Sequence, residues 1–145
     1  MSIDIRPLSD GYSVAPQITP EDVPALREAG FTTVICNRPD PEVSPELRAD
    51  AMRAAVEAAG LTFVLNPVVG GAITMDNVVA QGAALDSADG PVLAYCASGN
   101  RSSVVWALSQ AGRRPVDELI AIPARYGYAL EPFRPALEKL AAQTG

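Results

Sequence analysis

Three short apolar runs limit what this chain can fold into: "FTTVICN" (31–37), "LTFVLNPV" (61–68) and "GPVLAYC" (90–96). None alternates cleanly between apolar and polar residues. A strand with one wet face alternates with period two, whereas a strand covered on both faces reads as a continuous run. Helix signals fill the gaps. Thr19 and Pro20 open "PEDVPALREAG", which closes at Gly30; Ser44 and Pro45 open "PELRADAMRAAVEAAG", which closes at Gly60; Thr74 caps "MDNVVAQGAALDSA". A fourth helix is predicted from about Asn100 to Ala111, with Gly112 after it. "RPDPEVS" and "VGGAIT" read as loops, and "IDIRPL" and "GYSVAPQI" as short leading strands, the second closed by Pro16. The tail, 115–145, carries Pro123, Pro132 and Pro135 and predicts two or three short helices. The expectation is an α/β fold, a central, mostly parallel sheet with helices on both faces. Right-handed crossovers then gather the carboxyl ends of the strands on one edge, where such sheets bind ligands.

Composition sets the outer bounds. At 145 residues and 48% hydrophobic content, the chain suits a single domain over 1–145 with its own core. A net charge of −6 argues against a nucleic-acid partner, since phosphate backbones need clustered Lys and Arg. Residues 1–20 hold no apolar run long enough for a signal peptide or a membrane span, so a cytoplasmic protein without a membrane partner is expected. The two cysteines then read as reduced thiols. Histidine is absent, which excludes Ser-His-Asp and Cys-His pairs and the usual zinc sites; no metal and no cofactor is expected.

What remains for chemistry is concentrated in "YCASGNRSS". Cys96 ends a strand, Ala97, Ser98, Gly99 and Asn100 make a small-residue loop, and Arg101 and Ser102 fall in the first turn of a helix. Such a loop turns backbone N–H groups inward, and the helix adds its N-terminal partial positive charge. Both favour a thiolate over a thiol. The cradle of 97–100 also suits an oxyanion, and the Arg101 fork can grip two oxygens where a lysine could not. Ser102 is placed to donate its hydroxyl to the sulfur. The arrangement suits a nucleophilic cysteine that receives a group bearing anionic oxygens. The plainer reading is a small buried thiol beside a surface arginine; the conjunction of strand, thiol, glycine loop, guanidinium and helix favours the chemical one.

"CASGNRSS" after an apolar strand resembles the loop of cysteine-dependent enzymes that include protein tyrosine phosphatases and rhodaneses. More narrowly, "LSDGYSVAPQITPEDVPALREAGFTTVICNRPD", "NPVVGGAITMDNV", "GPVLAYCASGNRSSVVWAL" and "DELIAIPARYGY", over about residues 8–130, resemble the phosphatase-like domain of beta-lactamase-hydrolase-like proteins, the domain-of-unknown-function 442 family. The resemblance implies a dual-specificity-phosphatase-like fold, with Cys96 as nucleophile and Arg101 as oxyanion binder. The chain departs from the phosphatase pattern at three points. The Cys96-to-Arg101 loop is a residue shorter than in phosphatases and equal to that of rhodaneses. Tyr95 stands where phosphatases carry histidine. Val68, Val69, Gly70 and Gly71 occupy the place of the general acid, and none is a carboxylic acid.

Those departures favour a sulfurtransferase working through a Cys96 persulfide, because sulfite or a thiolate leaves without a proton whereas an alkoxide needs one. The alternative is a phosphatase working through a Cys96 phosphocysteine, and a third reading is a non-catalytic anion- or protein-binding module. The expected partner is accordingly a small anionic substrate or a protein persulfide or phosphoester. Asp76 is the nearest downstream acid, though the first turn of a helix is an ordinary place for Asp. Arg38 either lines the pocket or pairs with Asp40, which ties down its own loop. Cys36 ends the strand that, in the resembling fold, lies beside the strand of Cys96. It is either an inert core thiol or a partner that bridges to an oxidised Cys96.

Overall fold

The computed structural model describes residues 3–144. Its strands are β1 (Arg6–Ser9), β2 (Tyr12–Ala15), β3 (Thr33–Cys36), β4 (Thr62–Leu65) and β5 (Val92–Tyr95). They form one sheet in the order β1-β2-β5-β3-β4. β2, β5, β3 and β4 run parallel, and β1 turns back antiparallel on β2, so the sheet is mostly parallel. β5 lies at its centre, and two of the three runs that read as covered on both faces are so covered: every residue of β3 and β5 is buried. The third is corrected: β4 is the edge strand of the sheet, and Thr62 and Leu65 are exposed.

The helices are α1 (Val23–Glu28), α2 (Ala49–Ala58), α3 (Met75–Ser87), α4 (Asn100–Gln110), α5 (Val116–Ala124) and α6 (Arg134–Thr144). α1 and α2 cover one face through Val23, Leu26, Met52 and Val56, packed on Val34, Leu93 and Tyr95. α3 to α6 cover the other through Val78, Trp106, Leu119 and Leu137, packed on Tyr12, Val14, Ile35 and Ala94. Trp106 is fully buried and stacks on Tyr12, with ring centroids 5.8 Å apart.

Three local expectations are corrected. The first strand starts at Arg6 rather than Ile3. The helices expected from Pro20 and Pro45 begin as 3-10 turns, and the second is interrupted at Arg48, whose ψ of 166° is extended. Helix α2 starts at Ala49 because the carboxylate of Asp40 accepts the Ala49 N–H at 2.8 Å, a cap supplied from outside the helix. The loop "RPDPEVS" is itself ordered by a 3-10 turn, Asp40–Glu42. Thr74 caps α3 as expected, accepting from the N–H of Asn77.

Candidate functional site

β5 delivers Cys96 to the carboxyl edge of the sheet, where it is 1% exposed. The chain then folds back on the thiol, and the Gly99 N–H donates to Cys96 Sγ at 3.1 Å. This fold-back needs Gly99 at φ +96°, and a Cβ there would lie 2.2 Å from the Tyr128 hydroxyl. Tyr128 in turn donates to the Ser98 carbonyl at 2.7 Å and accepts from Arg6 at 2.6 Å, bracing the loop from outside. Ser103 Oγ donates back to the Gly99 carbonyl at 2.8 Å, tying the loop to its own helix.

Arg101 is mostly covered, its side chain 15% exposed. Its two terminal nitrogens grip both oxygens of Glu42, at 2.8 and 2.7 Å, and Nη1 also donates to the Val68 carbonyl at 2.8 Å. A guanidinium carries five N–H groups in a rigid plane. With the end of the fork and the inner Nη1 proton taken, Nε–H and the second Nη2–H have no other oxygen or nitrogen partner among the described residues, and the Cys96 sulfur interacts with the guanidinium. The Nε–Nη2 edge of a guanidinium is a bidentate seat for an oxyanion. Arg101 is pushed further toward its charged form, by Glu42 first and also by the nearby Cys96 sulfur. The Glu42 carboxyl is held below the usual range, chiefly by Arg101 and then by Arg38, which donates to it at 3.2 Å. A carboxylate so held is no proton donor.

Ser102 does not reach the sulfur, a correction to the expectation. Its hydroxyl donates to Asn37 Oδ1 at 2.9 Å, and its carbonyl accepts from the Tyr12 hydroxyl at 2.8 Å, all in the buried interior. Arg38 pairs with Glu42 and with Gln17, not with Asp40, and so stands at the site's rim. Asp76 is exposed on the first turn of α3 and makes no hydrogen bond among the described residues. Cys36 and Cys96 are both free thiols. Cys36 sits in register with Tyr95 and packs with it on the α1–α2 face, and its thiol donates to the Arg38 carbonyl at 3.4 Å. Cys96 lies just beyond the end of β5 and is near enough to interact with Cys36 electrostatically. Burial pushes the Cys36 thiol up, with Tyr95 partly opposing the shift. Among the described residues no group of three His, Cys, Asp or Glu side chains could hold a metal ion.

Glu42, Tyr128 and the amides around Asn37 were not singled out from sequence. One signal was available: "VICN" and "FVLN" both end an apolar strand on asparagine, and parallel pairing in register sets Asn37 beside Asn66.

Residues 4–113 match the family described as beta-lactamase hydrolase-like protein, phosphatase-like domain. The chain belongs to this phosphatase-like domain family. A beta-lactamase hydrolase-like protein of Xylella fastidiosa (strain 9a5c) is 31% identical over 139 residues, 94% of this chain and 32% of that protein. This domain thus spans about a third of the curated relatives it matches. A candidate phosphatase of Neisseria meningitidis Z2491 shares 34% identity at a TM-score of 0.81, over 94% of this chain and 97% of that one. TpbA of Pseudomonas aeruginosa, solved in complex with phosphotyrosine, shares the fold at a TM-score of 0.68 and 17% identity, over 98% of this chain and 90% of that one. The architecture is that of the dual-specificity and protein tyrosine phosphatases.

Proposed function

We propose that the domain is a phosphatase that acts through a Cys96 phosphocysteine on esters with a good leaving group. The observation that carries this is the Arg101 guanidinium, held by Glu42 and Val68 and interacting with a buried Cys96 thiol that already accepts the Gly99 N–H. The fold shared with a protein bound to phosphotyrosine supports it. In this reading the Cys96 thiolate attacks phosphorus. An S–P bond forms while the P–O bond to the leaving oxygen breaks, and the electron pair departs on that oxygen. Arg101 holds two equatorial oxygens through Nε–H and Nη2–H, and the loop N–H groups hold the third. Water then attacks phosphorus, the S–P bond breaks, and phosphate and a thiolate are released.

The leaving oxygen narrows the substrate. Val68–Gly71 offers no acid, Glu42 is committed to two arginines, and Asp76 is exposed on α3. General acid catalysis is worth about two to four orders of magnitude. Without it, aryl and acyl phosphates are the favoured class, since their leaving groups depart unaided. The same shortage, with the four-residue loop between Cys96 and Arg101, supports a second reading, the sulfur transfer preferred from sequence. There the Cys96 thiolate attacks the outer sulfur of thiosulfate, an S–S bond forms, sulfite leaves, and an acceptor thiolate or cyanide removes the sulfur.

The test runs an aryl phosphate and thiosulfate plus cyanide in parallel, each beside Cys96→Ser. Phosphate release that Cys96→Ser abolishes is the expected result. Thiocyanate formation without phosphate release would reverse the order of the two readings, and turnover that survives Cys96→Ser would reject both.

A further inference from the structure

Beneath the catalytic loop lies a polar cluster that the proposed chemistry does not use. At its centre is Gln81 of α3, fully buried. Its Oε1 accepts from Asn37 Nδ2 at 2.9 Å and from Asn66 Nδ2 at 2.8 Å. Its Nε2 donates to the Tyr12 hydroxyl at 3.0 Å and to Asn37 Oδ1 at 3.2 Å. All four hydrogen-bonding positions of the carboxamide are filled. The neighbours are filled as well. Asn37 gives its other proton to the Asn66 carbonyl, Asn66 gives its own to the Asn77 carbonyl, and Tyr12 gives its proton to the Ser102 carbonyl. Ser102 Oγ closes the circuit on Asn37 Oδ1. Every side-chain donor of the cluster is used.

Such a cluster is a costly way to fill a core. Amides taken from water lose their hydration, and a set of apolar side chains of similar volume is often as stable. What a saturated polar network adds is a single arrangement, because any shift leaves a buried group unpaired. Its outlets lead to the catalytic loop. One is Ser102, the residue after Arg101, held at both its hydroxyl and its carbonyl. The other is the segment after β4: Asn66 is held by Gln81, the Val68 N–H donates to the Asn37 carbonyl, and the Val68 carbonyl receives Arg101.

We propose that Gln81 is a positioning residue for the Cys96–Arg101 loop, locking the first turn of α4 and the Val68 carbonyl into one frame. The proposal rests on the reaction assigned to Cys96. It acts on the guanidinium through its neighbours, without touching the substrate. A displacement on the order of 1 Å at a reacting group costs about a hundredfold in rate.

The experiment measures steady-state kinetics on whichever of the two substrates Cys96→Ser abolishes, with melting temperature measured in parallel. Gln81→Met keeps the volume and removes all four bonds. It is expected to lower kcat by about a hundredfold with KM within about twofold of the native value. Tyr12→Phe removes only the bridge from Gln81 to the Ser102 carbonyl, and should lower kcat in the same direction by less; it carries the test if Gln81→Met does not fold. Gln81→Met combined with Ser102→Ala should be little worse than Gln81→Met alone, since members of one unit do not multiply. Leu26→Ala, on the opposite face of the sheet, should lower the melting temperature and leave kcat unchanged. Native kcat in Gln81→Met, or in Tyr12→Phe where that variant carries the test, would overturn the proposal. So would fully multiplicative losses in the double variant, or a kcat loss of equal size in Leu26→Ala. Turnover that survives Cys96→Ser would instead reject the underlying reaction.

Discussion

Two residues hold the site in its shape by opposite means. Gly99 does so by having no side chain: its φ of +96° and the Tyr128 hydroxyl, 2.2 Å from where a Cβ would stand, each exclude another residue. Backbone strain of this kind costs about 1–2 kcal/mol before the clash is counted. Gly99→Ala is therefore expected to lose activity and to lower stability in urea unfolding by at least that amount. Tyr128→Phe in the same chain should recover part of the stability, because it removes the atom in closest conflict. Glu42 works through its charge. Its carboxyl titrates below the ordinary glutamate range because Arg101, and then Arg38, stabilise the anion. The folded-state pKa lies below the unfolded one, so this contribution is present above the ordinary value and is lost as pH falls through the lowered value. Stability of Glu42→Gln should consequently fall less steeply than that of the native chain on the acid side of the glutamate range. At neutral pH the variant should also lose activity, since the Arg101 fork is no longer held from its far end. An acid limb identical in both proteins would show that Glu42 is not so coupled.

At the scale of elements, α4 carries arginines at both ends in very different settings. Arg101 on the first turn faces the thiol, while Arg113 beyond the last turn pairs with exposed Asp86 and Arg114 with Glu118. Exposed pairs of that kind contribute roughly 0–1 kcal/mol. Arg113→Ala and Arg114→Ala should leave kcat/KM unchanged. Arg101→Lys keeps the charge but loses the planar edge that seats two oxygens, and should lose most of the activity. Equal losses at all three positions would mean that only general surface charge matters. The helix itself explains why the loop can be so short. Its first turn begins at Asn100, directly after Gly99, and Ser102 to Leu108 are all buried, so the loop is anchored by a helix that has no solvent face along most of its length.

In the whole molecule the sheet separates two cores, one under α1 and α2 and one under α3 to α6. Trp106, the single tryptophan, is fully buried in the second core and reports on it by fluorescence. Met52 is fully buried in the first. Met52→Ala should cost about 2–5 kcal/mol. If the sheet makes one cooperative unit of both faces, the Trp106 transition in urea should move to lower concentration together with the far-ultraviolet circular dichroism transition. A Trp106 transition left in place while the circular dichroism moves would show that the faces unfold separately.

The sequence by itself determined what depends on neighbours along the chain. The continuous apolar runs of β3 and β5 are strands covered twice, with helices on both faces, whereas the similar run of β4 is an edge strand with Thr62 and Leu65 exposed, because pairing order is not written in a local pattern. Cys96, Gly99 and Arg101 lie within six residues of chain, so their closeness was legible before any fold was known. Thr74 capped its helix as expected because the cap is local. Only the tertiary structure decided what long-range contacts supply. Glu42 lies 59 residues from the arginine it holds, in a segment that reads as a plain loop. Gln81 is an unremarked amide on a helix until the strand order brings Tyr12, Asn37 and Asn66 around it. Ser102 turned from the sulfur for the same reason: Asn37, 65 residues away, offered its hydroxyl a buried acceptor. Local propensity fixes which atoms a short segment can present, but a hydrogen bond between distant residues exists only once folding has placed both partners, and its choice of partner follows the geometry of the core.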